Sequence, residues 1–344
     1  MRCKRVRCKR VRCKRVRCKR VQCKRVQCSR LSILLALAAC AACNRQQVRR
    51  IAVIPKGTAD VFFQSVHAGA LAAGQQYHEE ILWEGPANQT DYARQLEIVE
   101  SMLNRHVNGI VVAAADKTSL NASLDRASRE NVPVVIFDSG VDSTNYVSFV
   151  ATNNYEGGQL GGRKLGQLLN GKGTVAMIEH APGSASTMDR EQGFKEVMAK
   201  EFPGIAIVAE QFSMAVRAKG LAVTENILTS HPDLGGIFAS SEPSSVGAAQ
   251  ALKSRGLGGK VRLVAFDSSD DLVEDLKSGV IDALVAQDPF KIGFEGVKAV
   301  SEKLNGATPA KKVDLSAVVI TKADLSKPEV QQLLHPDLKK YLGQ

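Results

Sequence analysis

No cysteine follows Cys43, so residues 44–344 can form no disulfide and offer no thiolate to a metal or a substrate. The first 50 residues hold no aspartate or glutamate against 18 lysines and arginines. Aromatic residues make up only 5% of the chain, with one tryptophan, Trp83, expected as a core residue of a strand. The longest early apolar run, Leu31 to Ala39, is too short to span a bilayer. The six histidines form no HxxxH or HExxH pair, and no GxSxG elbow occurs. Metalloenzymes and nucleophilic hydrolases therefore lose their local signatures. The chain is expected not to be an enzyme and to need no cofactor and no metal.

What is present divides sharply. Residues 2–30 repeat the unit Arg-Cys-Lys-Arg-Val, with cysteines at 3, 8, 13, 18, 23 and 28. The C-x4-C spacing lacks the close pairs of zinc sites, and the charge density forbids a core. Translation is expected to begin nearer Val26 or Leu31. Removing the first 50 residues leaves 28 basic against 35 acidic residues, a net charge of −7 from an overall +11. The positive charge thus belongs to the leader, and no nucleic-acid partner is expected. Leu37-Ala38-Ala39-Cys40 resembles the lipobox of bacterial lipoproteins and closes a run suited to the h-region of a signal peptide. The resemblance implies cleavage before Cys40, lipidation of its thiol and a tether over 40–49. The protein is then periplasmic or extracytoplasmic, lipid-anchored to a bacterial membrane.

From residue 51 onward, short apolar runs alternate with helical patterns. Strands are expected at 51–54, 81–83, 109–112, 133–137, 146–151, 173–178, 205–211, 235–238, 261–266 and 282–286. Helices are expected near 62–76, 91–105, 118–130, 155–169, 189–200, 216–230, 244–255 and 270–278. The runs are apolar on both faces, as strands of a parallel sheet covered by helices must be. Two successive βα series imply an α/β fold of two Rossmann-like, doubly wound parallel-sheet lobes. Asp288 and Glu242, each before a proline, are expected to cap helices. Ligands of such sheets sit beyond the carboxyl ends of the strands. That rule singles out Asp60–Phe63, Asp138–Ser139, His180–Met188, Ser240–Glu242, Asp267–Ser268 and Gln287–Asp288. Gly157-Gly158 and Gly161-Gly162 lack the context of a phosphate loop and are expected to let helices pack closely.

These residues carry a family resemblance. Asp60-Val-Phe-Phe63, Pro133-Val-Val-Ile-Phe-Asp138, Asn153-Asn-Tyr-Glu-Gly-Gly158, Arg190-Glu-Gln-Gly-Phe194, Val264-Ala-Phe-Asp267 and Ala286-Gln-Asp-Pro289 stand in order over about 50–320. The chain resembles the ribose-type periplasmic sugar-binding proteins, the type I substrate-binding components of ABC importers. The resemblance implies lobes joined by a three-crossing hinge, with crossings near Thr152–Asn153, Gln287–Asp288 and 312–318. The first lobe would hold 50–152 and 288–312. The second would hold 153–287 and 313–344, including a terminal helix or strap over 327–343. It also implies a monomer serving a membrane permease.

By the same resemblance the ligand-binding residues are Asp60, Phe62, Phe63, Asp138, Ser139, Met188, Ser241, Glu242, Asp267 and Gln287. The phenylalanines would stack on a sugar face, and the carboxylates and the amide would meet its hydroxyls. Departures are visible. Ser139 and Met188 stand where the family carries arginines, Ser241 where it carries asparagine, and a third aromatic is missing near Ala215. Arg190 is expected to be structural, and the pocket is expected to be short of cations. The expected function is capture of a monosaccharide or similar polyhydroxylated ligand for an ABC importer. The alternative is a binding protein for a furanose-like signal, a polyol or an amino-bearing ligand that reports to a membrane sensor. A transcription regulator of this fold would need an N-terminal helix-turn-helix where the leader stands.

Overall fold

The structure, a computed structural model, describes residues 48–343. The repeat tract, the lipobox and Cys40 lie outside the described residues. Among the described residues, no helix is long and apolar enough to cross a membrane.

The chain begins with β1 (Arg50–Ile54), α1 (Val61–Tyr77), β2 (Glu80–Trp83), α2 (Tyr92–Asn104), β3 (Gly109–Val112), α3 (Asn121–Arg129), β4 (Val134–Phe137) and β5 (Ser148–Thr152). It continues through α4 (Asn154–Leu168), β6 (Gly173–Glu179), α5 (Ala185–Glu201), β7 (Ile205–Phe212) and α6 (Arg217–Ser230). Next come β8 (Gly236–Ala239), α7 (Glu242–Ser254), β9 (Arg262–Phe266), α8 (Asp270–Ser278) and β10 (Ala283–Ala286). The last elements are α9 (Pro289–Leu304), β11 (Lys312–Leu315), β12 (Val318–Ile320), α10 (Pro328–Leu334) and α11 (Lys339–Leu342). They build two six-stranded sheets, ordered β11-β5-β4-β3-β1-β2 and β12-β10-β9-β8-β6-β7. Every pairing is parallel except β10 with β12.

Burial explains why the runs are continuous rather than alternating. Ile51 and Val53 of β1 enter one apolar cluster, while Ala52 and Ile54 enter the cluster on the opposite face. In β8, Ile237 and Ala239 face one layer and Phe238 the other. Each face carries helices, so each side chain of the strand loses its water. The helices approach very closely where glycines allow it. A Cβ on Gly158 of α4 would lie 1.9 Å from the Arg190 carbonyl oxygen of α5. One on Gly69 of α1 would lie 1.9 Å from that of Phe290 in α9. The glycine pairs of α4 therefore serve packing.

Three connections join the sheets: β5 to α4, β10 to α9, and β11 to β12. Lys312–Leu315 pairs in register with Phe149–Thr152, so the third crossing falls after Leu315 and not at 312/313. The short alternating segment Lys312–Leu315 was not read as a strand, which misplaced that boundary. Asp288 caps α9, its carboxylate accepting from the Lys291 amide at 2.9 Å. Glu242 does not cap α7; Ser241 holds the cap position and Glu242 is already helical. The tail does not stay with the second lobe. Val330 and Leu334 of α10 bury in the second-lobe core, but the Tyr341 ring of α11 lies 5.6 Å from Phe290 of α9. The tail thus straps both lobes.

Candidate ligand-binding site

The carboxyl ends of both sheets face one cleft. Asp138 follows β4 and Asp267 follows β9, and the two occupy matching places in their lobes. Each donates its amide to the neighbouring strand, Asp138 to Val150 O and Asp267 to Val285 O, both at 2.9 Å. Each adopts a positive φ, 55° and 70°. That left-handed region is uncommon outside glycine, and aspartate tolerates it better than most residues. The turn ends the strand and leaves a carboxylate, nearly buried in both cases, at the sheet edge.

On the first lobe, Phe62 and Phe63 open α1 with their rings edge to face at 5.1 Å. Phe63 is buried in the core while Phe62 packs at its margin, and both line the cleft. Asp60 receives the Gln89 amide at 3.0 Å, and burial raises its carboxyl pKa above the ordinary value. Lys56, two residues beyond β1, is 4% exposed. Its Nζ lies 3.2 Å from Asp138 Oδ2.

On the second lobe, Asp267 accepts the Glu242 amide at 2.9 Å and Gln287 Nε2 at 2.6 Å. The Arg190 guanidinium stands 3.8 Å from the same carboxylate and 3.9 Å over the Phe266 ring. It also donates to Asn154 Oδ1 at 2.8 Å and to Ser240 O at 3.0 Å. His180 is buried with Nδ1 at 3.0 Å from Ser241 Oγ. Burial, with Lys56 and Arg190 nearby, holds its imidazole well below the usual range and keeps it neutral. Behind it, Glu191 accepts from the His180 amide at 3.1 Å and from Ser240 Oγ at 2.8 Å. Burial nonetheless pushes the Glu191 carboxyl up to about 7. Glu242 is raised by burial as well, and pairs with Arg217.

The lobes meet across the cleft. Lys117 N donates to Gly183 O at 2.9 Å, Tyr92 Oη to Pro182 O at 3.2 Å, and Ser186 N to Ser139 Oγ at 3.3 Å. The cleft they line has about 30 Å³ of water-accessible space.

The periplasmic binding protein domain family matches this chain over residues 51–308. The chain belongs to that family. It is 30% identical over 292 residues to the ribose import binding protein of Haemophilus influenzae, covering 84% of this chain and 97% of that protein. It is also 30% identical over 284 residues to the D-ribose/D-allose-binding protein of Pseudomonas aeruginosa, covering 80% and 88% of the two chains. Among solved structures it resembles a carbohydrate transporter solute-binding protein from Agrobacterium radiobacter in complex with D-arabinose. That match has a TM-score of 0.82 and 31% identity, over 84% of this chain and 100% of that one.

In this periplasmic binding protein, the cleft gathers Asp60, Phe62, Phe63, Asp138, Ser241, Glu242, Asp267 and Gln287. Two expected residues are placed elsewhere. Met188 is 41% exposed and lines a separate groove with Phe212 and Pro182. Ser139 is fully buried behind the cleft, where its hydroxyl takes the Ser186 amide of the other lobe. The expected shortage of cations is also corrected, because Lys56 and Arg190 both line the cleft. Arg190 is both structural and a wall of the site. Lys56 and Gln89, which also line the cleft, were missed, and Thr187 was singled out only within the segment His180–Met188. Lys56 follows a strand end and was within reach of the strand-end rule, whereas Gln89 carries no local signal.

Proposed function

We propose that this protein captures a neutral monosaccharide, or a closely similar polyol, and presents it to an ABC permease while tethered through a lipid on Cys40. The observation that carries the reading is the pattern of unmet acceptors. Gln287 Oε1 is buried without a hydrogen-bond partner, and Asp138 Oδ2, though 3.2 Å from Lys56, makes no well-directed hydrogen bond. Buried acceptors left in this state favour a guest that supplies hydroxyl donors. Phe62 and Phe63 offer apolar rings for the C–H face of a sugar. The cations of the cleft are committed: Lys56 to Asp138, Arg190 to Asp267 and Arg217 to Glu242. Among the described residues, each of these cations is thus already paired with a carboxylate, which disfavours an anionic guest.

Nothing in this arrangement needs chemistry. A ligand touching both lobes binds the closed form more strongly than the open one and shifts the population toward it. The solved relative from A. radiobacter carries D-arabinose, and the curated relatives are named for ribose and allose. The permease would recognise the closed surface. A thermal-shift screen with pentoses, hexoses, polyols, amino sugars and the matching sugar acids tests the reading. One or more neutral sugars should raise the melting temperature, and their acids should not. Stabilisation by amino-bearing or anionic ligands alone would overturn the substrate class.

A further inference from the structure

We propose that Lys56 is the latch of the cleft: a positioning residue that holds Asp138 in place and binds the first lobe to the loop before α5 of the second. The inference rests on the reading of the cleft as a sugar site, and it assigns a role to a residue outside the family pattern described above. Lys56 Nζ contacts three groups at once. These are Asp138 Oδ2 at 3.2 Å in its own lobe, and Ser186 Oγ at 3.1 Å and Ser184 Oγ at 3.4 Å in the other. The side chain is nearly inaccessible, so these contacts are little screened by water. Two of its donors meet the serine hydroxyls of the other lobe, while its charge pairs with the Asp138 carboxylate of its own. Opening the lobes would break two of the three.

The neighbouring contacts converge on the same loop. Tyr92 reaches Pro182, Lys117 reaches Gly183, and Ser139 meets Ser186. Gly183 has φ +86°, and a Cβ there would come within 2.1 Å of Asp116 Oδ2 from the first lobe. A side chain at Gly183 would therefore be strained and would push the Asp116 carboxylate aside. Among these contacts Lys56 alone brings a buried charge to the loop.

The arrangement also resolves the departure at position 139. The pattern places an arginine beside Asp138, and here that position is Ser139. The charge that balances Asp138 comes instead from Lys56. Moving the cation from the residue beside the carboxylate to the end of β1 lets it touch the opposite lobe. Charge balance and closure then depend on one side chain.

Two readouts separate the latch from a general contribution to the site. The first is amide hydrogen exchange without ligand, followed at Lys117, whose N–H bonds across the cleft to Gly183. Lys56→Met should speed exchange there about tenfold or more, while the Val111 and Met177 amides keep their protection. The second is sugar affinity by titration calorimetry, using the sugar found in the screen; Lys56→Met should raise Kd about tenfold or more, in line with loss of a charge-assisted bond. Ser184→Ala with Ser186→Ala keeps the pair with Asp138 and removes only the cross-lobe bonds. It guards against Lys56→Met failing to fold, and should show the same faster exchange. Wild-type exchange at Lys117 in the double serine variant would overturn the latch. If no sugar binds the wild-type protein, the functional reading fails, while the exchange experiment still decides the latch.

Discussion

Glu191 gives a prediction whose sign follows directly from the structure. Its carboxyl lies under the floor of the cleft, 5% exposed, accepting from the His180 amide and the Ser240 hydroxyl. Burial outweighs those two bonds and raises the pKa from 4.5 to about 7. A carboxyl that holds its proton more tightly when folded favours folding while protonated, and that advantage is lost as pH rises from 4.5 through 7. Each pKa unit is worth about 1.4 kcal/mol. Between pH 5 and pH 8 the wild-type protein should therefore lose about 2.5 kcal/mol of stability through this one group. Glu191→Gln keeps an oxygen for His180 and Ser240 and removes the titration. The assay is urea denaturation of both proteins at several pH values. The other titrating groups, the buried neutral His180 included, are common to both and largely cancel in the difference. The variant should gain on the wild type by about 2.5 kcal/mol between pH 5 and pH 8. A difference that stays flat over this range would refute the reasoning, because it would mean that Glu191 titrates as an exposed carboxyl does.

Asp267→Ala should weaken sugar binding by about tenfold or more, measured by calorimetry, because it removes an acceptor and leaves Arg190 and Gln287 without their partner. Gly158→Ala should destabilise the protein by about 1–3 kcal/mol, seen as a lower melting temperature, since its Cβ would press on the Arg190 carbonyl. Cys40→Ser should release the protein from the membrane fraction on cell fractionation; retention would refute lipidation at that cysteine.

How far the chain could be read in advance differs between its elements. The strands of both sheets are buried on both faces, and an unbroken apolar run such as Ile51–Ile54 needs no partner to be recognised. The residues just beyond the strands followed from the architecture, and Asp138 and Asp267 at two strand ends line the cleft. Met188 lies away from the cleft for a helical reason. It was placed by its order relative to Arg190, but residues two apart on a helix point about 200° away from each other. The buried positions of α5 include Thr187, Arg190, Glu191, Phe194 and Val197, a stripe spaced by three and four that leaves out Met188. That stripe was legible and outranks motif order. Strand β11 was harder to read: Val313 and Leu315 alternate with Lys312 and Asp314, but four residues are a short signal, and its pairing with β5 is what assigns it to the first sheet.

Lys56 marks the deeper limit. Its partners Ser184 and Ser186 lie 128 and 130 residues away, and they meet it only when the two lobes close. No spacing within one segment encodes a contact that exists in one conformation of two separately folded lobes. The hint was indirect. Ser139 stands where an arginine was expected, and a buried carboxylate stripped of its neighbouring cation must find another or take up a proton. The missing charge at 139 therefore implied a compensating one elsewhere at the cleft. The lysine beyond β1 was the nearest strand-end residue able to supply it.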